Sequence, residues 1–438
     1  MKRLIGLSFV ICHLSFCPAG AQEWTVQQCM QYAVEHNHEV KRAELELDNY
    51  KAQKTQAAGR FLPSVDASIG AQYNFGRAID PETNGYTDVN TFNNGYSLYA
   101  SLPVFDGFGR IHALKAAKAS MLMGRAALRQ RQDQTALNVL QAYVNVAYYE
   151  GMVNMAGEKV QETELLLKQI RLLEEVGRKS AADVAQVESQ KAEADYELTR
   201  QQNLYASAML ELKKTMAFPL GDSLLLSVDD GDRWCDSADS SANHEPVSRI
   251  HPGLQQARYQ IQVSKHEWHQ ARASLFPSLS LSTGLNTTYY HTLHSGAGAS
   301  FHNQFKNNKG EYVGATLSIP LFNRLQSLTN IRRAKNNYRI AREAYEQELL
   351  ELEKLSYEAW QDWRGYLKQV EQMTHKVEAD SLAYQLTRRQ FEEGLSTAID
   401  LRTTSAQLLN SKATLLQCQL MAMVKEQLVR YYKGEQIW

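Results

Sequence analysis

The sequence predicts a mainly α chain that also carries transmembrane β segments: two long α-helical hairpins, duplicated, and four β-strands. Three observations predict it. First, Pro103 to Gly177 and Pro320 to Gly394 are two equal intervals of 74 residues, neither with an internal proline. A helix filling about 70 residues is ~105 Å long at 1.5 Å per residue, far beyond the roughly 8 to 20 residues usual in globular proteins. Second, four segments alternate apolar and polar residues with period two. Third, the landmarks recur in register. Pro63 matches Pro277 at an offset of 214, and both Pro103 with Pro320 and Gly177 with Gly394 at 217. A near-constant offset of this kind marks a duplication.

Composition narrows the function. The chain has 438 residues, and its Gly and Pro together number only 33. Its long Ala-, Gln-, Glu-, Lys- and Leu-rich runs are made of good helix formers. A formal net charge of −1 points to no nucleic-acid partner and no polybasic anchor. There is no P-loop, no G-x-S-x-G and no G-x-G-x-x-G. His266-Glu267-Trp268-His269 lacks the spacing of the H-E-x-x-H zinc motif. The chain therefore reads as no enzyme, with no cofactor and no metal.

The first 21 residues read as a signal peptide. Lys2 and Arg3 precede an apolar run from Leu4 to Phe16, and Ala19-Gly20-Ala21 is an A-x-A cleavage site. Cys17 offers a rival, lipidated N-terminus, but Phe16 stands where such signals want a small residue. Cleavage leaves Cys29, Cys235 and Cys418, too widely spaced for a disulfide framework.

The first repeat covers 22–217. Thr25 to Asn37 and His38 to Gly59 read as short helices. Ser64 to Phe75 alternates strictly, then Gly76 to Asn94 reads as a loop, and a second strand spans 96–102. A long helical hairpin follows over 107–214, turning at 177–180. In it Leu137, Leu140, Val144 and Ala147 form a coiled-coil seam. Residues 218–250 are a connector, with a short strand near Leu224–Val228 and an acidic loop over 229–245. The second repeat covers 251–433, with strands over 278–289 and 311–319 around a polar loop. Its hairpin spans 323–433 and turns at 394–397. Residues 434–438 are the chain end. His291, His294 and His302 share the polar loop and match no fixed metal spacing.

Strands of about 9 to 11 residues span a membrane. A spanning sheet must close, because each unpaired backbone group facing lipid costs several kcal/mol. Four strands are too few, since sealed bacterial barrels begin at about eight. The chain must therefore pool strands with identical copies, and periodicity permits two, three or four of them. The inward residues, mostly Ser, Thr, Gly, Asn and Gln, imply an open, wet lumen.

Several doubled motifs resemble the TolC-type outer membrane efflux proteins. They are Leu62-Pro63-Ser64 with Phe276-Pro277-Ser278 at the strand entries, Ser101-Leu102-Pro103-Val104-Phe105 with Ser318-Ile319-Pro320-Leu321-Phe322 at the exits, and the G-x-x-[ST]-A-x-D-[VL] turns starting at Gly177 and Gly394. The opening Trp24-Thr25-Val26-Gln27-Gln28-Cys29 is also similar to that family's first helix. The resemblance implies a homotrimer: a twelve-stranded β-barrel in outer membrane lipid above a twelve-helix coiled-coil tunnel in the periplasm. It implies an exit duct served by a periplasmic adaptor and an inner-membrane transporter.

By this resemblance, Gly177, Arg178, Lys179 and Ser180, with Gly394, Leu395, Ser396 and Thr397, are adaptor-contacting tips. Asp400 would line the tunnel entrance, with Asp183 as its counterpart in the first repeat. Thr403 holds the place of a second acid found in some members, and Phe391 fits a closing aromatic, while Ser396 fits the basic position poorly. Ordinary hairpin chemistry also accounts for these residues: Gly as a helix stop, Ser180 and Thr397 as N-caps, and Asp183 and Asp400 completing capping boxes. The competing reading is a periplasmic or surface structural coiled-coil protein without a pore, which has no use for the four alternating segments.

Overall fold

The computed structural model describes residues 23–79, 84–88, 90–227, 250–293 and 300–438. The signal peptide, Cys235, the acidic stretch 229–245 and His294 lie outside the described residues.

Two long helices set the scale. α3 (Gly109–Glu175) and α7 (Gln326–Glu392) are each 67 residues, or ~100 Å. Each turns sharply into a return helix of 36 residues, α4 (Ala181–Met216) and α8 (Ala398–Lys433). The return helices are shorter than their partners, and two 22-residue helices make up the difference: α2 (His38–Gly59) and α5 (Pro252–Ala273). The 11-residue α1 (Val26–His36) enters α2 through Asn37. Asn37 Nδ2 donates to the Thr215 carbonyl at 2.8 Å, joining α2 to the end of α4. The ring of His251, which caps α5, meets Tyr431 and Tyr432 at the end of α8, with centroids 4.8 and 6.1 Å away.

These junctions surround the main apolar core. Cys29, Met30, Val139, Leu140, Val146, Leu212, Met216 and Leu254 are all buried there. The seam residues Leu140, Val144 and Ala147 are buried. Cys29 behaves as a small apolar side chain, its thiol pushed up to about 12 by burial. Two short strands, β1 (Glu23–Trp24) and β6 (Leu225–Leu226), pair in parallel beside this core. Trp438 is no loose end. Its Nε1 donates to the buried Asp133 carboxylate at 2.8 Å, and the Arg129 guanidinium lies 4.5 Å over its ring.

At the other end lies a four-stranded antiparallel sheet in the order β2-β5-β7-β8. Its members are β2 (Ser64–Asn74), β5 (Thr91–Phe105), β7 (Ser278–Thr292) and β8 (Gly310–Ser318). β5 starts five residues before the expected 96–102 and ends three after. Pairing overrides the poor strand propensity of Asn93, Asn94 and Gly95, because Phe92 lies opposite both Tyr73 and His291. The expected loop 76–94 also holds a small ribbon, β3 (Arg77–Ile79) with β4 (Tyr86–Asp88). The polar loop after β7 holds a short helix, α6 (Phe301–Asn307).

The register sorts the side chains. Val65 faces Ala100, Leu98 faces both Ala67 and Leu285, and Leu281 faces Ala315, all on one side. That side is bare: Ile69 is 74% exposed and Val313 85%. The opposite side carries Ser68, Ser97, Ser282, Asn286 and Thr316, but also Tyr99 and Tyr312 on either side of Gly284. A Cβ at Gly284 would lie 2.4 Å from the Tyr312 ring, so glycine lets that ring lie flat on the strand. Among the described residues, β2 and β8 each have one unpaired edge.

Candidate functional site

The two hairpin turns sit at the far end of α3 and α7 from the sheet. Each is built the same way. α3 stops because Gly177 takes φ +73°, a left-handed value that favours glycine. The Arg178 N–H then reaches back to the Leu173 carbonyl at 2.8 Å. α7 stops likewise at Gly394, φ +80°, and the Leu395 N–H donates to the Gln390 carbonyl at 2.7 Å. Such bonds satisfy carbonyls orphaned at a helix end.

The return helices open with reciprocal caps. Asp183 N–H donates to Ser180 Oγ at 3.2 Å, while Ser180 N–H donates to the Asp183 carboxylate at 3.0 Å. Asp400 N–H donates to Thr397 Oγ1 at 3.2 Å, and Thr397 N–H donates to the Asp400 carboxylate at 3.0 Å. The Thr397 hydroxyl adds a 2.6 Å bond and Ser396 one of 3.3 Å. These bonds lower the Asp400 pKa, the Thr397 hydroxyl most and its backbone next. Asp183 is lowered by the Ser180 backbone, then its side chain. Both carboxylates are therefore charged at neutral pH. Leu395 is 76% exposed at the tip. Thr403 is exposed one turn past Asp400, its hydroxyl donating to the Ile399 carbonyl at 2.9 Å.

Phe391, just before the second turn, is buried: it is 1% exposed, in an apolar cluster with Leu167, Ile170, Val187, Ala398 and Leu401. The cluster locks the two hairpins together just behind their turns. Lys179, in the first turn, sets its ammonium 4.2 Å over the Phe391 ring. This contact across the two turns has no signal in the sequence, since the partners are 212 positions apart. Farther from the tip, Lys159 Nζ donates to Ser405 Oγ at 2.5 Å and to Glu162 at 2.8 Å, and Arg388 reaches Glu162 at 3.9 Å. Lys159, Glu162 and Ser405 border a cavity of about 320 Å³ between the hairpins.

His291 lies on β7 and His302 on α6. His266 and His269 face α3, where His112 Nδ1 is 3.4 Å from His266 Nδ1. Among the described residues, no group of three or more His, Cys, Asp or Glu is arranged to hold a metal ion. No described helix is long and apolar enough to cross a membrane.

This architecture is similar to solved structures. CusC superposes with a TM-score of 0.79 at 16% identity, covering 94% of this chain and 92% of that one. VceC of Vibrio cholerae gives 0.77 at 14% identity, covering 94% and 97%. In sequence, the pyoverdine export outer membrane protein OpmQ of Pseudomonas aeruginosa is 24% identical over 417 residues, 92% of this chain and 82% of that protein. The toluene efflux pump outer membrane protein TtgC of Pseudomonas putida is 21% identical over 416 residues, 93% and 82%. The profile of the outer membrane efflux protein family matches residues 29–217 and 249–430. The chain belongs to that family. The two matched blocks coincide with the two hairpin-bearing halves, so this outer membrane efflux protein carries the family signature twice. Its work is export across the outer membrane, and its family is one of transport proteins and not of enzymes.

Proposed function

We propose that three copies of this efflux protein close into one duct, a twelve-stranded barrel continuous with a twelve-helix tunnel. The observation that carries this reading is the sheet. It has one bare apolar face, and its β2 and β8 edges are unpaired among the described residues. Backbone groups on such edges cannot be left in lipid. Joining β8 of one copy to β2 of the next satisfies both edges and turns the polar face inward.

The duct is passive. The tips, Gly177 to Ser180 and Gly394 to Thr397, are the surfaces offered to a periplasmic adaptor, and an inner-membrane transporter supplies the energy. Asp400 rings the entrance, three carboxylates drawing cations. Thr403 carries no charge, so one acidic ring is formed there and not two. Phe391 acts by holding the two hairpins in register and not as a lid. The relatives bear names for toluene and pyoverdine export, and cargo of that small organic kind fits a wet, passive lumen.

Reconstitution into planar bilayers tests the reading. Discrete, long-lived conductance steps from the purified protein alone support it. A protein that assembles in detergent but never conducts contradicts it.

A further inference from the structure

A four-residue stripe is repeated where the long helices leave the sheet. In the first repeat it is Phe108, Ile111, Lys115 and Lys118; in the second, Leu325, Leu328, Arg332 and Lys335. The offset is 217 at every position, the same as between Pro103 and Pro320. Steps of four and three place Ile111, Lys115 and Lys118, and likewise Leu328, Arg332 and Lys335, on one helix face, with Phe108 and Leu325 at the cap just before it. The exposed side chains are apolar, apolar, cation, cation in both. Phe108 is 55% exposed, Leu325 56% and Leu328 56%, and all four cations are exposed. Phe108 and Leu325 both take left-handed backbone at the helix start, φ 68° and 64°.

The stripe continues the bare face of the sheet. Phe105 pairs with Leu279 on that face, and the Phe108 ring packs against it at 5.3 Å. Its cations stand without local acids. Residues 107–132 and 321–342 each hold six Lys or Arg and no Asp or Glu, in a chain of net charge −1. Arg110 is tied to Asp106 at 3.3 Å, whereas Lys115, Lys118 and Arg332 have no carboxylate partner among the described residues.

The spacing fits a membrane boundary. From Ile111 to Lys115, and from Leu328 to Arg332, the rise is ~6 Å. The headgroup layer between a ~30 Å hydrocarbon core and a ~40–45 Å bilayer is about 5–8 Å on each side. We propose that the duplicated stripe binds anionic phospholipid at the periplasmic surface of the outer membrane. Phe108, Ile111, Leu325 and Leu328 sit among the upper acyl chains. Lys115, Lys118, Arg332 and Lys335 meet the phosphates, and six stripes around a trimer fix the height of the barrel in the bilayer. Basic residues beside a span attract anionic headgroups in this way. The proposal rests on the duct reading, which makes the bare face of the sheet the lipid face.

The test uses the full-chain oligomer in nanodiscs of phosphatidylcholine alone or mixed with phosphatidylglycerol. The reading is the temperature at which the detergent-resistant assembly falls apart on a gel. Phosphatidylglycerol should raise that temperature by several degrees for the unmodified protein, and high salt should shrink the gain. K115Q/K118Q/R332Q/K335Q should show no gain, yet match the unmodified protein in phosphatidylcholine. No gain for the unmodified protein overturns the proposal, whatever the variant does. So does a variant that keeps the gain but shifts ion selectivity in planar bilayers, because its cations then line the lumen. Conductance that persists while the lipid effect is missing leaves the duct reading standing, so the two fail separately.

Discussion

Lys179 Nζ lies 4.2 Å from the centre of the Phe391 ring, and this contact ties the turn of the first hairpin to the end of the long helix of the second. Phe391 is buried, and its neighbours come from all four hairpin helices, α3, α4, α7 and α8. The tips of the two hairpins of one chain therefore pack as one unit.

Truncating that ring should loosen the tip without touching the sheet. Phe391→Ala removes a buried aromatic, a change that costs about 3–5 kcal/mol in a core. Lys179→Met removes only the cation over the ring, about 0.5–1 kcal/mol at an exposed site. Limited proteolysis should cut Phe391→Ala near 177–180 and 394–397 much faster than the unmodified chain, with Lys179→Met between them. Equal cutting of all three would contradict the locking role.

Asp400 has two separable roles, cap and proposed cation ring. Its folded pKa is depressed by Thr397 and Ser396, below the ordinary ~3.9 of an unfolded aspartate. The cap therefore contributes in full above the unfolded value and is lost as pH falls through the folded one. A spin label at the exposed position 399 should become more mobile only as pH falls below the ordinary carboxylate range. Asp400→Asn should remove that pH dependence. The same variant should weaken divalent-cation block in planar bilayers. Unchanged block would remove the gate and leave only the cap.

His251 makes the junction of α8 and α5 sensitive to acid. It is 1% exposed. Its Nδ1 accepts the Gly253 N–H at 3.2 Å, and its Nε2 has no hydrogen-bond partner among the described residues. Burial lowers its pKa to about 4, against ~6.5 unfolded. The unfolded chain thus takes up the proton first, so stability is complete above about 6.5 and declines as pH falls toward the folded value. His251→Asn keeps a side-chain cap for α5 but cannot titrate. Its melting temperature should fall several degrees less than that of the unmodified protein between pH 7 and 4.5; parallel curves would refute the assignment.

Much of this molecule is legible in one dimension. Alternation across Val65, Ala67, Ile69 and Ala71 reveals a two-faced strand, because side chains on a pleat reverse at every step. Equal spacing from Pro103 to Gly177 and from Pro320 to Gly394 reveals the hairpins, because the first residue cannot continue a helix and the second can end one. What stays hidden depends on partners distant in sequence. Thr91 to Gly95 join β5 only because β2 and β7 flank them. α6 forms where its carbonyls meet β7, as when Thr287 Oγ1 donates to the Phe305 carbonyl at 2.8 Å. Phe391 reads as an aromatic near the tip, but its burial needs the first hairpin in place. The turn residues share this ambiguity: Ser180 and Thr397 would be written the same way for capping alone or for capping and docking.

The mass of the purified assembly tests the central claim most directly. Light scattering in detergent, with the detergent contribution removed, should give three chain masses in one stable species. A single chain mass, stable in water without detergent, would contradict the account.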